Sequence, residues 1–340
     1  MLKKLTETNG VSGCETQIRD IIENEIRNFC DDIKIDSLGN LIAYKKASEQ
    51  AMTVLLSAHM DEVGFIVSDI TNDGYLKFES VGSIDPRTLI SQRVCVNGLS
   101  GVISLKAIHL TSKDEREKDI SEDMLYIDVG ASCKEELSQH VTKGDYISFD
   151  SKYIEFGDLI KSKALDDRLG CAILIDILKS EVPVNLYCAF TVQEEIGLRG
   201  AKAAIYGLNP DYAIVVEGTT CNDLPGVPEN LTVTKIGNGA ALSLLDSASK
   251  SNNELLNMLV ESAKKRNIPY QFKAATTGGN DAGAIHIANG GIKTCTISVP
   301  CRYIHSPVSV MSKKDFLSCQ NIVKAFLEDC GSIYGGNSNA

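Results

Sequence analysis

The chain contains no tryptophan and only 6% aromatic residues, so it lacks the ring platforms on which carbohydrate clefts ordinarily stack sugars. Basic residues are also in short supply: 34 Lys and Arg stand against 45 Asp and Glu, a formal charge of -11. That balance argues against a duplex-binding surface, which needs a basic stripe. No run approaches the ~20 apolar residues of a membrane span, and MLKKLTETNGVSG at the start has no apolar stretch of signal-peptide length. The expectation is a cytoplasmic protein with neither a nucleic-acid nor a membrane partner. CxxC pairs are missing as well. The 11 cysteines are scattered singly, several in apolar runs, which reads as buried free thiols in a reducing compartment and not as a disulfide framework. There is no internal repeat, and the one biased segment is the terminal GGNSNA, read as a frayed tail.

With 340 residues and 43% hydrophobic content, the chain can bury a large core and suits one large domain with a smaller one. Ile18, Ile21, Ile22, Ile26 and Phe29 recur at helical spacing after the Gly10/Gly13 loop, which predicts an amphipathic helix over 15–29. TVLLSA, residues 53–58, is a short aliphatic and β-branched run and predicts a buried strand. From about 64 to 157 the pattern changes to short β-rich segments, FIVSDI, RVCVNG, GVISLKAI, MLYIDVG and DYISFD, separated by turn residues and without a long helix. This predicts an inserted all-β module. Beyond it β and α signals alternate: a helix over 168–178, strands VNLYCAFTV and YAIVVE, a helix over 253–265, strand TCTISV, and a closing helix after Ser312, whose hydroxyl is placed to cap it. The expected fold class is α/β, a mixed, largely parallel sheet flanked by helices, with an inserted β-rich domain.

Open α/β sheets hold ligands outside the carboxyl ends of their strands, so the residues that follow each predicted strand matter most. TVLLSA is followed by His59-Met60-Asp61, VNLYCAFTV by Gln193-Glu194-Glu195, and YAIVV by Glu217-Gly218. TCTISV leads within a few residues to His305, and Asp166-Asp167 opens the helix over 168–178. Two imidazoles and several carboxylates on neighbouring strand ends suit zinc, cobalt or manganese. Without a cation the converging carboxylates would repel one another, whereas divalent ions keep them ionised. Taken singly, each has a plainer reading: Asp166-Asp167 could cap a helix, and Glu194-Glu195 could be a solvated pair. Their joint occurrence points to chemistry. His109, His140 and His286 stand apart from any such group and are read as structural or surface residues.

The strings AHMDEVG, KALDDRLG, QEEIGLRGA, EGTT with DLPG, TTGGNDAG and RYIHSP occur in this order. Together with GVSGCE near residue 10 they resemble, over nearly the whole chain, the glutamyl-aminopeptidase and tetrahedral-aminopeptidase family of two-metal exopeptidases, some of which carry a cellulase name. The resemblance implies a zinc-exopeptidase-like catalytic domain made of residues 1–66 and 160–340, with residues 67–159 as a β-barrel-like dimerisation domain. It implies two divalent ions per chain, zinc or cobalt ahead of manganese. Asp166 would bridge them, with His59 and Glu217 completing one ion and Glu195 with His305 the other. Glu194 would be the general base, Asp61 would orient the His59 imidazole, and Asp167 would help set the turn that presents Asp166. Relatives assemble dimers into hollow tetrahedral dodecamers that admit short peptides. The resemblance therefore implies a dimer-based homo-oligomer that removes N-terminal residues from short peptides. The chain departs from the pattern at two places: Glu217 stands where many relatives have Asp, and GNGAAL, residues 237–242, lacks a proline expected there.

Two rival readings are weighed against this one. An endoglucanase-like glycosidase would use Glu194 and a second carboxylate as its acid/base pair, which leaves His59 and His305 without a role in a chain that has no tryptophan. A catalytically silent scaffold or binding protein on the same fold would have no use for a base beside a complete ligand set.

Overall fold

The computed structural model describes residues 1–335 other than Ala275 and Thr277. Thr277 of the TTGGNDAG string and the tail from Gly336 onward lie outside the described residues. Among those described, eleven strands form one large mixed sheet. At its centre Asn185–Thr191, Thr53–His59, Tyr212–Thr220 and Lys293–Arg302 lie side by side in that order, all parallel. Antiparallel strands extend both sides. Leu41–Lys45 and Asp32–Ile35 flank Asn185–Thr191; Ser309–Ser312, Leu159–Ser162 and Ile154–Phe156 follow Lys293–Arg302.

The central strands read as unbroken apolar runs because both faces of the sheet are covered. Val54, Leu56 and Ala58 point to one core with Phe190, Ile214 and Val216, whereas the alternate residues Leu55, Ala189, Ala213 and Val215 join a second core with Ala201, Ala204 and Ile285. The first core contains the helix Leu165–Leu178, which packs on Thr53–His59 and Tyr212–Thr220 and is itself covered by Leu2–Glu7, Thr16–Ile26 and Lys313–Gly335. A helix covered all round must be apolar all round, and thirteen of its fourteen residues are buried. Gly170 sets its distance from the sheet, since a Cβ there would lie 2.4 Å from the Val216 carbonyl oxygen. This helix begins at Leu165, three residues before the predicted start, with Asp166 and Asp167 in non-helical conformations and a cis peptide bond between them. The closing helix is capped as expected: the Ser312 hydroxyl accepts from the amides of Lys314 at 3.1 Å and Asp315 at 3.4 Å.

After Thr53–His59 the chain leaves the sheet and closes a six-stranded antiparallel barrel from Gly64–Ile70, Tyr75–Val81, Arg93–Val96, Leu99–Leu105, Leu125–Asp128 and Tyr146–Phe149. Phe65, Val67, Leu76, Phe78, Val94, Val96, Ile103, Ile127 and Phe149 fill its interior. Phe65 meets Phe78 and Phe149 edge-on, with ring centroids 4.9 and 5.2 Å apart. The α-helices in this module, Lys113–Arg116 and Lys134–Leu137, are one turn long. All eleven cysteines are free; seven are buried, and Cys14 is exposed. Among the described residues no helix is long and apolar enough to cross a membrane.

Candidate active site

The sheet register assembles the site. His59 lies opposite Thr191, the last residue of its strand, so Glu194 and Glu195 follow three and four residues later. On the other side Val215 pairs with Ser57, which brings Glu217, two residues on, level with His59. Glu217 was expected at the very end of its strand, YAIVVE, or just after it. It lies inside it, because Gly218, Thr219 and Thr220 continue the pairing with Val299, Pro300 and Cys301. Because the partners of Thr53–His59 on either side come from later in the chain, the carboxyl ends of these strands open the kind of crevice in which such sheets hold ligands.

Ligand-capable atoms gather there in overlapping groups, each within 4.8 Å: His59, Asp166 and Glu217; and Asp166, Glu195 and His305. Asp166 belongs to both. Its Oδ1 is 3.6 Å from His59 Nε2, and its Oδ2 is 3.8 Å from His305 Nε2, which in turn lies 3.3 Å from Glu195 Oε2. A third group, His59, Glu194 and Glu195, places Glu194 beside the same centre. The five residues expected as ligands are thus brought together, and so is the expected base. His59, Asp166 and Glu217 are buried while His305 is 36% exposed, so the cluster opens to solvent on the His305 side. His109 and His140 are exposed and His286 is half-buried on the chain segment after Ala282–Ile285, none of them in a ligand group among the described residues.

The electrostatics of this cluster call for positive charge. Burial, and then Glu194 and Asp166, push the Glu217 carboxyl well above its ordinary range. Burial and Asp166 raise Glu195 to about 8. Burial likewise lifts Glu194, with Asp281 and Glu195 adding to it. His59 is driven the opposite way from what burial alone would do: Asp166, Asp61 and Glu194 hold a proton on it. Asp166 Oδ1 and Glu217 Oε2 are buried and accept no hydrogen bond among the described residues, an arrangement that costs several kcal/mol unless a cation compensates it. Imidazole nitrogens with carboxylate oxygens form a donor set for zinc, cobalt or manganese. The residues fit divalent metal.

The residues around the cluster hold it in place. The Asp61 carboxylate accepts from the Ser12 hydroxyl at 2.5 Å and from the backbone amides of Glu194 at 3.0 Å and Glu195 at 3.1 Å. Its nearest oxygen to His59 Nδ1 is the backbone carbonyl, at 3.1 Å, with the carboxylate at 3.4 Å. Asp61 therefore touches the imidazole and also fixes the turn carrying both glutamates. Burial raises its carboxyl and these partners, His59 foremost, more than offset that, leaving it lowered. Asp167 ties the His59 amide, at 3.2 Å, to the amide of Gly170, at 3.1 Å. Gly218 makes room for Asp166, because a Cβ there would meet Asp166 Oδ1 at 2.9 Å.

Other residues here were not foreseen. Glu15 accepts from the amides of Gly13 and Gln193 at 2.7 and 3.2 Å. Fully buried Arg168 donates to the carbonyls of Leu5, Thr8 and Met60, and Lys163 donates to both oxygens of Glu62 at 2.6 and 2.7 Å. Asp281, within the TTGGNDAG string, accepts from the Thr191 hydroxyl at 2.6 Å, and its other oxygen is buried with no hydrogen-bond partner among the described residues. Burial raises it to about 6.

A mixed sheet with carboxylates and imidazoles gathered at the ends of its parallel strands defines a hydrolase with a candidate divalent-cation centre. Comparison with known proteins makes the class specific. Residues 39–322 match the M42 glutamyl aminopeptidase family, and residues 1–22 match a model described as AMPT. A provisionally named aminopeptidase of Acetivibrio thermocellus is 41% identical over 331 residues, covering 96% of this chain and 97% of that one. The aminopeptidase APDkam598 of Desulfurococcus kamchatkensis superposes with a TM-score of 0.92 at 35% identity, covering 100% of this chain and 98% of that one. The TET1 peptidase of Pyrococcus horikoshii, described as assembling into a tetrahedron or a large octahedral shell, gives 0.85 at 34% identity over 96% and 98%. The chain belongs to the M42 glutamyl aminopeptidase family and is an aminopeptidase.

Proposed function

We infer that this aminopeptidase works with two divalent ions and a glutamate base on the N-terminal residues of short peptides. The observation that carries the reading is the pair of ligand groups sharing Asp166, in which Asp166 Oδ1 and Glu217 Oε2 are buried and accept no hydrogen bond among the described residues. His59, Asp166 and Glu217 would hold one ion, and Asp166, Glu195 and His305 the other. When bound, such ions lower the pKa of a water toward neutrality and polarise a carbonyl oxygen.

The chain's own residues supply the rest. Glu194, not required as a ligand, takes the proton of the attacking water on a carboxylate oxygen and returns it to the leaving amine as the peptide bond breaks. Asp61 keeps Glu194 and Glu195 in register through their amides, so base and ligand keep their separate directions. Burial of Glu194 supports its basicity in the site by keeping bulk water from solvating the carboxylate. The surrounding carboxylates attract a free α-ammonium, and a bound ion would accept the neutral amine as a ligand, which would restrict cleavage to the first residue.

We also assign the pairing of chains to the barrel, the inserted domain expected over 67–159 within a catalytic domain of residues 1–66 and 160–340; its first strand starts at Gly64, and Ile154–Phe156 and Leu159–Ser162 already belong to the large sheet. Ile108 and Leu110, 71% and 62% exposed on the barrel module, are apolar residues that such pairing would cover, and the resulting dimer would be the unit of any shell like that described for the TET1 peptidase. The test of the catalytic reading is a panel: metal content, then hydrolysis of aminoacyl-anilides against a cellulose derivative before and after chelation. Chelator-sensitive release of the anilide, with the polysaccharide untouched, is expected. Cleavage that survives complete removal of metal contradicts the reading.

A further inference from the structure

We propose that a cationic groove behind the His305 segment binds the C-terminal carboxylate of tri- and tetrapeptide substrates; the inference rests on the aminopeptidase reading of the site. The groove, about 430 Å³, is lined by Arg93, Asp150, Lys152, Lys161, Pro307 and Val308 among others. The ammonium groups of Lys152 and Lys161 make no hydrogen bond or ion pair within the described residues. Asp150 is the groove's own carboxylate and is engaged by Arg93, whose Nε lies 3.8 Å from its Oδ2. The groove thus keeps two uncommitted cations on a chain whose formal charge is -11. Nearby lysines do not share this state: Lys313 pairs with Glu155, Lys314 donates to Asp158 at 2.6 Å, and Lys163 is held by Glu62.

The position of the groove identifies its occupant. The small cavity at the ligand cluster is walled by Asp166, Glu195, His305, Ser306, Ser309 and Phe149. Phe149 and the segment 306–309 wall both cavities, Ser306 and Ser309 on the cluster side and Pro307 and Val308 on the groove side. Lys161 pairs with Val310 on the adjoining strand. The two cavities therefore lie back to back across a single stretch of chain. One strand's width is about 4.8 Å, and an extended tripeptide spans about 10 Å. A peptide with its first residue at the cluster, leading outward past half-exposed His305, delivers its carboxylate to Lys152 and Lys161 after three or four residues. A longer chain carries its carboxylate beyond them and gains nothing from the pair.

The test compares Leu-Gly-Gly with its C-terminal amide, using an aminoacyl-anilide to show that the catalytic machinery works. The acid should be preferred about three- to tenfold in kcat/KM, chiefly through KM, the worth of one or two exposed ion pairs. High salt should shrink that preference. The ratio should fall toward 1 in the Lys152→Met/Lys161→Met double variant and return in Lys152→Arg/Lys161→Arg. A wild-type ratio near 1 with the anilide cleaved overturns the inference alone, as does a Met variant that cleaves both peptides with the wild-type ratio. A metal-loaded chain that cleaves no aminoacyl-anilide overturns the reading of the site and this inference with it.

Discussion

Gly218→Ala tests how closely Asp166 must be placed. The added Cβ would stand 2.9 Å from Asp166 Oδ1, 3.1 Å from Cγ and 3.2 Å from Cα. Restoring ordinary contact requires a retreat of about 0.5 Å. Asp166 is hemmed in below by the helix it begins and beside it by His59, so the carboxylate itself has to yield. Overpacking of this kind costs about 1–3 kcal/mol, too little to unfold a large buried core. Misplacing a reacting group by 1 Å costs on the order of 10²-fold in rate, so turnover of an aminoacyl-anilide should fall about tenfold. Because Asp166 serves both ligand groups, both ions should bind more weakly. The assay is kcat/KM with bound metal counted by elemental analysis and the far-ultraviolet spectrum taken alongside. Gly130→Ala, where no atom lies within 4 Å of the added Cβ and the backbone φ is +80°, should carry only the positive-φ penalty of about 1–2 kcal/mol and keep its turnover. Wild-type turnover and metal content in Gly218→Ala would refute the reasoning.

Lys163→Met leaves Glu62 buried with only the Gly10 amide at 2.9 Å and Arg168 at 3.5 Å. Breaking a buried pair costs about 3–5 kcal/mol, so the urea midpoint should drop clearly, and adding Glu62→Gln should cost less than the sum of the two single changes; strict additivity would mean the pair is uncoupled. Asp329 is held well below the ordinary carboxylate range by Arg266, with help from Ser262 and Lys265. A lowered carboxyl contributes stability above its unfolded pKa, about 3.9, and loses it as pH falls toward the folded value. Asp329→Asn should therefore be less stable than wild type at neutral pH, with the gap in urea midpoint closing below about pH 4; a gap independent of pH would contradict this. Ile108→Asp with Leu110→Asp should shift light scattering toward a smaller assembly at unchanged circular dichroism, and an unaltered particle size would remove the barrel from the pairing role.

Much of this was legible in the sequence, for reasons that single residues make clear. TVLLSA could be read as a buried strand because both of its faces are apolar, and His59 stood out because it follows directly. The candidate ligand residues could be read as a set because strand ends converge in a parallel sheet, and the structure brings them within one cluster. The limits of that reading are also physical. The strand was ended at Glu217 because a charged residue followed by Gly-Thr-Thr looks like a boundary, whereas pairing with Val299–Cys301 carries the strand on. The helix Leu2–Glu7 is six residues long, too short to show a helical period. Glu62, Lys163 and Arg168 stood in recognisable strings, but their mutual contacts span about a hundred residues of sequence, and no local pattern announces which charges will meet. Ser12 and Glu15 support the site through single hydrogen bonds to Asp61 and to the Gln193 amide. Only the GVSGCE string hinted at them. Asp281 was within a quoted string, yet its link to the site runs through the Thr191 hydroxyl at a strand end.

The central claim is that Glu194 and Glu195, adjacent and chemically alike, divide the work: one moves a proton and the other binds metal. Turnover measured against metal concentration in Glu194→Gln and Glu195→Gln, with bound ions counted in parallel, tests this most directly. Glu194→Gln should keep two ions per chain and lose on the order of 10²–10⁴ in turnover at every metal concentration, the usual worth of general acid–base catalysis. Glu195→Gln should bind one ion more weakly and regain part of its activity as metal is raised. Rescue of Glu194→Gln by added metal, or wild-type affinity for both ions in Glu195→Gln, would contradict the account.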